Sequence, residues 1–179
     1  MKRLVIILII MLLFITGCHE EEKEETKEKE EKTPVVSNKN ANIDTKGSGK
    51  LHCTRNGAAE TGVEVSIYYD ITYEEGLMQH FHGMEKIITE NQDTITEYEN
   101  AYKEIAKHYK ELDYYTNNVL RDENSVAMET IIDYDKVDLK KLLDIEGEED
   151  NIVTDGKVYL STWLDFMGKF GTICEEVEE

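Results

Sequence analysis

Basic residues are scarce in this 179-residue chain, which has 20 Lys and Arg against 39 Asp and Glu and a formal net charge of −19. A surface with such an acidic excess repels the phosphates of nucleic acids and of anionic lipid headgroups. The composition therefore argues against a nucleic-acid-binding protein. Metal cations and basic partners are electrostatically compatible with it, although an acidic excess more often serves solubility alone.

The sequence also lacks the short motifs that commonly mark an active site. No serine stands in a nucleophile-elbow pattern, and neither a glycine-rich phosphate loop nor a His-Glu-x-x-His motif occurs. Asp133 and Asp135 are spaced to share one strand face, but such pairs arise by chance in so acidic a chain. His52 and His108 are expected at a strand end and on a helix surface. We predict a protein without enzymatic activity and without a cofactor.

One long uncharged run is present, at residues 4–15, and it is shorter than the roughly 20 residues of a membrane-spanning helix. Lys2 and Arg3 precede the run, and Thr16, Gly17 and Cys18 follow it. A basic end, an apolar middle and small residues at the cut are the layout of a secretory signal peptide. A permanent transmembrane span is the poorer interpretation.

The end of this run, Ile-Thr-Gly-Cys at residues 15–18, resembles a bacterial lipobox. The resemblance implies cleavage before Cys18, lipidation of its thiol by acyl chains such as palmitate, and anchoring on the outer face of the bacterial cytoplasmic membrane. Each buried methylene stabilises membrane residence by about 0.8 kcal/mol, so two or three chains anchor a protein firmly. The alternative is an ordinary signal peptide that happens to end in a cysteine.

The predicted mature chain begins with a segment that cannot form a core. Cleavage removes Lys2 and Arg3 but no acidic residue, so the net charge falls from −19 to about −21. Residues 19–33 are almost wholly Glu and Lys, and residues 34–49 are mainly Asn, Lys, Ser and Gly. A segment with so little apolar area cannot offset its ordering entropy. We predict a signal peptide at 1–17, a lipidated cysteine and disordered tether at 18–48, and one extracellular domain at 49–179.

Two cysteines are left after lipidation, Cys53 and Cys174, near the two ends of the predicted domain. In an exported protein, an even number of cysteines, here two, indicates a disulfide. A metal or an intermolecular thiol is the alternative partner, although no ligand pattern accompanies either residue. An intramolecular bridge requires the first and last elements of the domain to lie side by side.

Hydrophobic periodicity predicts both strands and helices. Alternation is clearest at residues 63–73, where one face is apolar and one mostly polar, as in an antiparallel sheet. Four further strands are predicted at 50–55, 77–89, 114–120 and 125–134. At residues 93–112 the period changes to three and four, which predicts an amphipathic helix with Asp93 or Thr94 as its N-cap. Short helices are predicted at 136–143 and within 152–173. The predicted fold is α+β: an antiparallel sheet of about five strands, packed by one long amphipathic helix, with short C-terminal helices.

Residues 129–142 read Glu-Thr-Ile-Ile-Asp-Tyr-Asp-Lys-Val-Asp-Leu-Lys-Lys-Leu. With the lipobox, the early alternating strand and the tyrosine-rich helix, this stretch resembles the YehR-like family of small bacterial lipoproteins. The likeness covers most of residues 50–145, and its most specific part is Asp-Tyr-Asp. It implies an antiparallel sheet packed by a helix, on a lipid tether, with no established activity. The pair Cys53 and Cys174 and the segment after Glu146 fall outside the resemblance.

One pattern suggests a ligand. Met78, His80, His82 and Met84 alternate along a predicted strand, so they share a face on which two imidazoles and a thioether suit a soft ion such as copper. Methionine on a strand more often simply packs. The leading hypothesis is an envelope module that binds an extracellular protein or small ligand. The alternative is a metal or small-ligand carrier that uses these four residues.

Overall fold

The structure, a computed structural model, describes residues 39–147 and 151–177. The predicted signal peptide, the predicted lipidation site Cys18 and residues 19–38 of the predicted tether lie outside the described residues. Among the helices that are described, none has the length and apolar character needed to cross a membrane.

In the part of the chain that the structure describes, eight strands form two antiparallel sheets. The larger sheet has the order β4-β5-β3-β2-β1-β8 and the smaller one pairs β6 with β7. The strands are β1 Gly49–Glu60, β2 Val63–Glu74, β3 Leu77–Ile88, β4 Tyr115–Asp122, β5 Ser125–Asp133, β6 Val153–Thr154, β7 Lys157–Val158 and β8 Ile173–Glu176. The helices are α1 Gln92–Tyr109, α2 Leu139–Glu146, α3 Leu160–Gly168 and a 3-10 helix at Lys39–Asn42.

The fold class predicted from the sequence is wrong, because the described chain is mostly β. The main sheet has six strands rather than about five, and a second small sheet adds two more. In place of a sheet organised by one long amphipathic helix, the structure has three α-helices, the longest of 18 residues. Residues 152–173, predicted to hold a helix, also hold the β6–β7 hairpin, and the chain then continues into β8. Strands of two to four residues are too short to show alternation, so their pattern was missed.

Alternation explains why β1 to β5 bury one face. In β2 the buried positions are Val63, Val65, Ile67, Ile71 and Tyr73, as predicted for this strand. The apolar side chains on this covered face belong to three hydrophobic clusters. One includes Leu51, Ile71, Tyr73, Leu160 and Trp163, the next Val65, Ile87, Ile95, Tyr102 and Val126, and the third Tyr109, Leu112, Ile132 and Leu142.

The predicted disulfide between Cys53 and Cys174 is confirmed. The two cysteines are directly opposed residues of β1 and β8, and both are buried. Asn40 reinforces this edge, because its side-chain amide donates to the Thr172 carbonyl and its side-chain oxygen accepts from the Cys174 N–H. Residues near the start of the described region are thus attached to the last strand of the domain.

Candidate functional site

The second face of the main sheet is lined by exposed and half-buried side chains, and we call it the open face. It carries the positions that alternate with the core positions in β1 to β5. Among them are His52, Tyr68, Asp70, His80, His82, Met84, Asn118, Leu120, Glu129 and Ile131. Leu120 and Ile131 are large apolar side chains that are 46% and 44% exposed. The open face therefore combines ionisable, aromatic and apolar groups.

Three residues form a row across the centre of this face. His52, Asp70 and His82 are directly opposed partners on β1, β2 and β3. The Asp70 carboxylate contacts His52 Nδ1 at 2.7 Å and faces His82 Nδ1 at 3.8 Å. Cross-strand pairs of this kind contribute about 0.2–1 kcal/mol each to a sheet. One carboxylate thus lies between two imidazoles.

Glu129 of β5 extends the row on the other side of His82. His82 Nε2 lies 3.0 Å from Glu129 Oε1, and Asn118 Nδ2 donates to Glu129 Oε2 at 2.9 Å. These hydrogen bonds from Asn118 and His82 lower the pKa of Glu129 below its ordinary value. Both ring nitrogens of His82 therefore face carboxylates, but only Glu129 lies within hydrogen-bond distance.

The Tyr68 ring lies beside the two imidazoles. Its centroid is 6.1 Å from that of His52, in a stacked arrangement, and 5.7 Å from that of His82, edge on. Burial, then the negative charges of Asp70 and Glu129, raise the pKa of Tyr68. Its hydroxyl group therefore stays protonated and can donate a hydrogen bond to an acceptor on a partner.

The four residues proposed as metal ligands do not all share a face. A β-bulge between β2 and β3 pairs Tyr73 with Met78 and Thr72 with His80, so Gln79 has no partner in this ladder. An extra residue in one strand reverses the alternation. Met78 is consequently buried in the core, whereas His80, His82 and Met84 lie on the open face. The expectation that all four line one face fails at Met78.

The remaining imidazoles are already directed at separate acids. His80 Nδ1 faces Asp133 at 3.8 Å, while His82 contacts Glu129. Asp133 also accepts from Lys136, which lowers the pKa of that carboxyl. Within residues 39–147 and 151–177, no group of three or more His, Cys, Asp or Glu side chains is arranged to hold a metal ion.

Sequence reasoning located His80, His82 and Met84 correctly on a strand but missed their neighbours. His52, expected at a strand end, lies within β1 and forms part of the row. The sequence indicated only that Asp70 and Tyr68 lie on the more polar face of β2, the strand with the clearest alternation. Their contact with His82 and Glu129 depends on strand order, which a single sequence does not show. His108 lies in α1, as expected.

No protein-family model matches the chain, and no curated protein matches it. Among solved structures it is similar to the NMR structure of the E. coli YehR protein, with 18% identity, a TM-score of 0.52, and coverage of 75% of this chain and 95% of that one. An NMR structure of a protein from Streptococcus pneumoniae TIGR4 has 14% identity, a TM-score of 0.44, and coverage of 90% of this chain and 100% of that one. The first likeness shows a YehR-like fold for this chain.

Proposed function

We propose that the protein is a non-enzymatic envelope lipoprotein whose domain binds an extracytoplasmic protein through the open face. The observation that carries this proposal is the network of His52, Asp70, His82 and Glu129, which is ordered by direct contacts yet accessible from outside. Residues whose only task is solubility do not need such mutual orientation. A surface that presents oriented donors and acceptors suits recognition.

The shape of the surface favours a protein over a small molecule. Small ligands are usually held in concave sites, and two cavities in the described part of the chain, around Lys103–Asn117 and around Glu60–Thr94, are lined by residues other than His52, Asp70, His82 and Glu129. Strands lie about 4.8 Å apart and rise about 3.3 Å per residue, so six strands of about nine residues present roughly 700 Å². A standard protein interface buries about 800 Å² per partner.

The chemistry of the surface points the same way. Tyrosine is enriched in the cores of protein interfaces, where apolar contacts are surrounded by polar groups. Tyr68, Leu120 and Ile131 supply the aromatic and apolar contacts, and the histidine–carboxylate row supplies the polar ones. We therefore expect the interface to centre between Tyr68 and Ile131.

The binding surface is tested by placing a photo-crosslinking amino acid at Ile131 in intact cells. A matched control places the same group at Lys169, an exposed position at the end of α3. We expect a discrete crosslinked product from position 131 alone, and at least a tenfold loss of it when Tyr68→Ala is added. Equal products from both positions, or a product insensitive to Tyr68→Ala, would contradict the proposal.

The anchoring half of the proposal rests on residues 1–18, where a short apolar leader ends at Cys18. A tether after this residue would hold the domain roughly 30 Å from the anchor, from the scaling of a flexible chain of about 30 residues. Cys18→Ala should abolish labelling with radioactive palmitate and release the protein from the membrane fraction. Unchanged sedimentation with membranes would show that another element holds it there.

A further inference from the structure

We propose that a basic groove beside β4 is a docking site for an acidic, extended peptide segment, which adds to the sheet as a further strand. The basic groove has a volume of about 420 Å³. It is lined by Lys103 and Lys107 of α1, by the C-cap residue Lys110, and by Tyr115, Thr116 and Asn117 of β4, with Ala106 and Tyr109 between them. It lies at the edge of the sheet and shares no part of the histidine–carboxylate row.

The outer edge of β4 presents backbone groups to this groove. Among the described strands, β4 is the last of the main sheet and pairs with β5 alone. The Asp133 N–H donates to the Tyr114 carbonyl, which marks a hydrogen-bonded pair. Such pairs alternate along an antiparallel ladder, and the register between β4 and β5 has no shift, so Tyr115 and Asn117 direct their backbone groups away from β5. These groups can pair with an added strand.

Three lysines and no acidic residue line the groove, in a chain that is acidic as a whole. Their spacing of four and three residues places them on one face of α1. Lys103 pairs with Glu99 and Lys107 with Glu104, whereas Lys110 forms no ion pair with a described residue. Charges farther than about 8 Å are screened at physiological ionic strength, so a peptide in the groove meets mainly the lysine ammonium groups of the lining, of which Lys110 has no carboxylate partner among the described residues.

Asn117 supplies a second polar feature at the same place. Its side-chain oxygen accepts from the Thr130 hydroxyl at 2.7 Å, but its Nδ2 atom is buried without a hydrogen-bond acceptor among the described residues. Beside it, the rings of Tyr109 and Tyr115 stack with centroids 4.4 Å apart. The wall of the groove thus combines the buried Asn117 amide with the stacked Tyr109 and Tyr115 rings.

Charge decides which occupant suits this edge. If two copies of the chain paired through β4, their lysine rows would approach each other and repel. An extended segment with carboxylates on alternate residues would instead direct them toward Lys107 and Lys110 while its backbone paired with Tyr115 and Asn117. The groove therefore favours an acidic peptide over a second copy.

The test uses the full-length chain and a fluorescent, acetylated octapeptide of alternating Glu and Val, followed by fluorescence anisotropy at physiological ionic strength. We expect saturable binding, weakened at least tenfold by the double variant Lys107→Glu/Lys110→Glu. Lys169→Glu on α3 makes the same type of charge reversal far from β4 and should change the affinity less than twofold. The matching Lys/Val octapeptide should not bind.

A second probe tests whether the backbone takes part. The same Glu/Val octapeptide, N-methylated on alternate residues, keeps its carboxylates but cannot complete a ladder, and it should bind at least tenfold more weakly. Equal binding of the N-methylated and the unmethylated Glu/Val octapeptides would overturn strand addition. Displacement of the Glu/Val octapeptide by inorganic phosphate at equal charge concentration would indicate a small-anion site and would also overturn the proposal. No binding of the Glu/Val octapeptide, or no effect of the double variant in a protein with unchanged melting temperature, would also overturn the proposal.

Discussion

The Tyr109 hydroxyl group donates a hydrogen bond to the carboxylate of Glu146 at 3.3 Å, and so joins α1 to the last turn of α2. Asn151 donates a further hydrogen bond to the same carboxylate at 3.0 Å. Burial nevertheless dominates and raises the pKa of Glu146 above its ordinary value, while these two hydrogen bonds oppose the rise. Glu146 is thus a half-buried acid whose charge is only partly compensated.

This burial predicts a pH dependence of stability. Because the folded state has the higher pKa, it holds the proton of Glu146 more tightly than the unfolded state does. The associated stability is fully present below the unfolded pKa and is lost as pH rises through the folded pKa. Glu146→Gln keeps an acceptor for Tyr109 and removes the charge, so the variant should gain stability relative to the wild type at pH 7 but not at pH 4.

Urea denaturation at the two pH values measures this difference, and each unit of pKa difference corresponds to about 1.4 kcal/mol. Comparing the variant with the wild type cancels the titration of other carboxylates such as Glu99, whose pKa is lowered by hydrogen bonds from Lys103 and Arg121. A variant that is less stable than the wild type at pH 7 would show that the ionised carboxylate is needed.

Loss of the Cys53–Cys174 disulfide should destabilise the domain strongly. The two cysteines are 121 residues apart in sequence, and in the chain-entropy model closing a loop of that length contributes up to about 5 kcal/mol. Cys53→Ser/Cys174→Ser should therefore lower the urea midpoint substantially. Thiol titration of the denatured, unreduced domain should find neither cysteine reactive, and two reactive thiols would refute the bridge.

Replacing the N-cap of α1 should cost a smaller amount. The Asn91 side chain accepts hydrogen bonds from the N–H groups of Asp93 and Thr94. Asn91→Ala leaves both donors unpaired and should reduce the free energy of unfolding by about 1 kcal/mol. Asn91→Asp retains the acceptor and serves as the control, because a carboxylate also suits the positive end of the helix dipole. Equal losses in both variants would show that the cap is not the cause.

The buried contact between α1 and β3 gives another measurable effect. Tyr102 donates to Glu85 at 2.8 Å, and burial, with the nearby Glu85 charge, raises the pKa of Tyr102 so that its hydroxyl group stays protonated. Tyr102→Phe should lower the free energy of unfolding by about 1.5–3 kcal/mol, the range for hydrogen bonds to charged groups. Tyr98→Phe on the same helix should cost less than about 0.5 kcal/mol, as for most surface changes.

Local sequence patterns predicted the presence of several strands and helices well, and their first and last residues less well. Alternation over Val63–Glu74 identified β2, because one face of that strand is buried along its length. The N-cap of α1 was predicted at Asp93 or Thr94, whereas Asn91, two or three residues earlier, caps the helix. Asn, Asp and Thr are all favoured caps, so the choice among neighbours depends on how the chain leaves β3.

The site was less predictable than the strands that carry it. Alternation places Met78, His80, His82 and Met84 on one face only if β3 is regular, and the bulge at Gln79 removes Met78 from that face. A bulge arises from the pairing of a strand with its neighbour, so no sequence pattern within β3 alone predicts it. Likewise, Asp70 and Glu129 meet His82 only because β2 and β5 are the neighbours of β3.

By itself, then, the sequence determined where the apolar faces of the long strands lie and that Cys53 and Cys174 should pair, because side-chain period and cysteine number are local or compositional properties. The tertiary structure alone decided the order β4-β5-β3-β2-β1-β8, the addition of β8 as a sixth strand, and the meeting of His52, Asp70, His82 and Glu129 on one face. Strand order and register follow from contacts between residues that are distant in sequence. The free energy of those contacts cannot be inferred from any short window of the sequence.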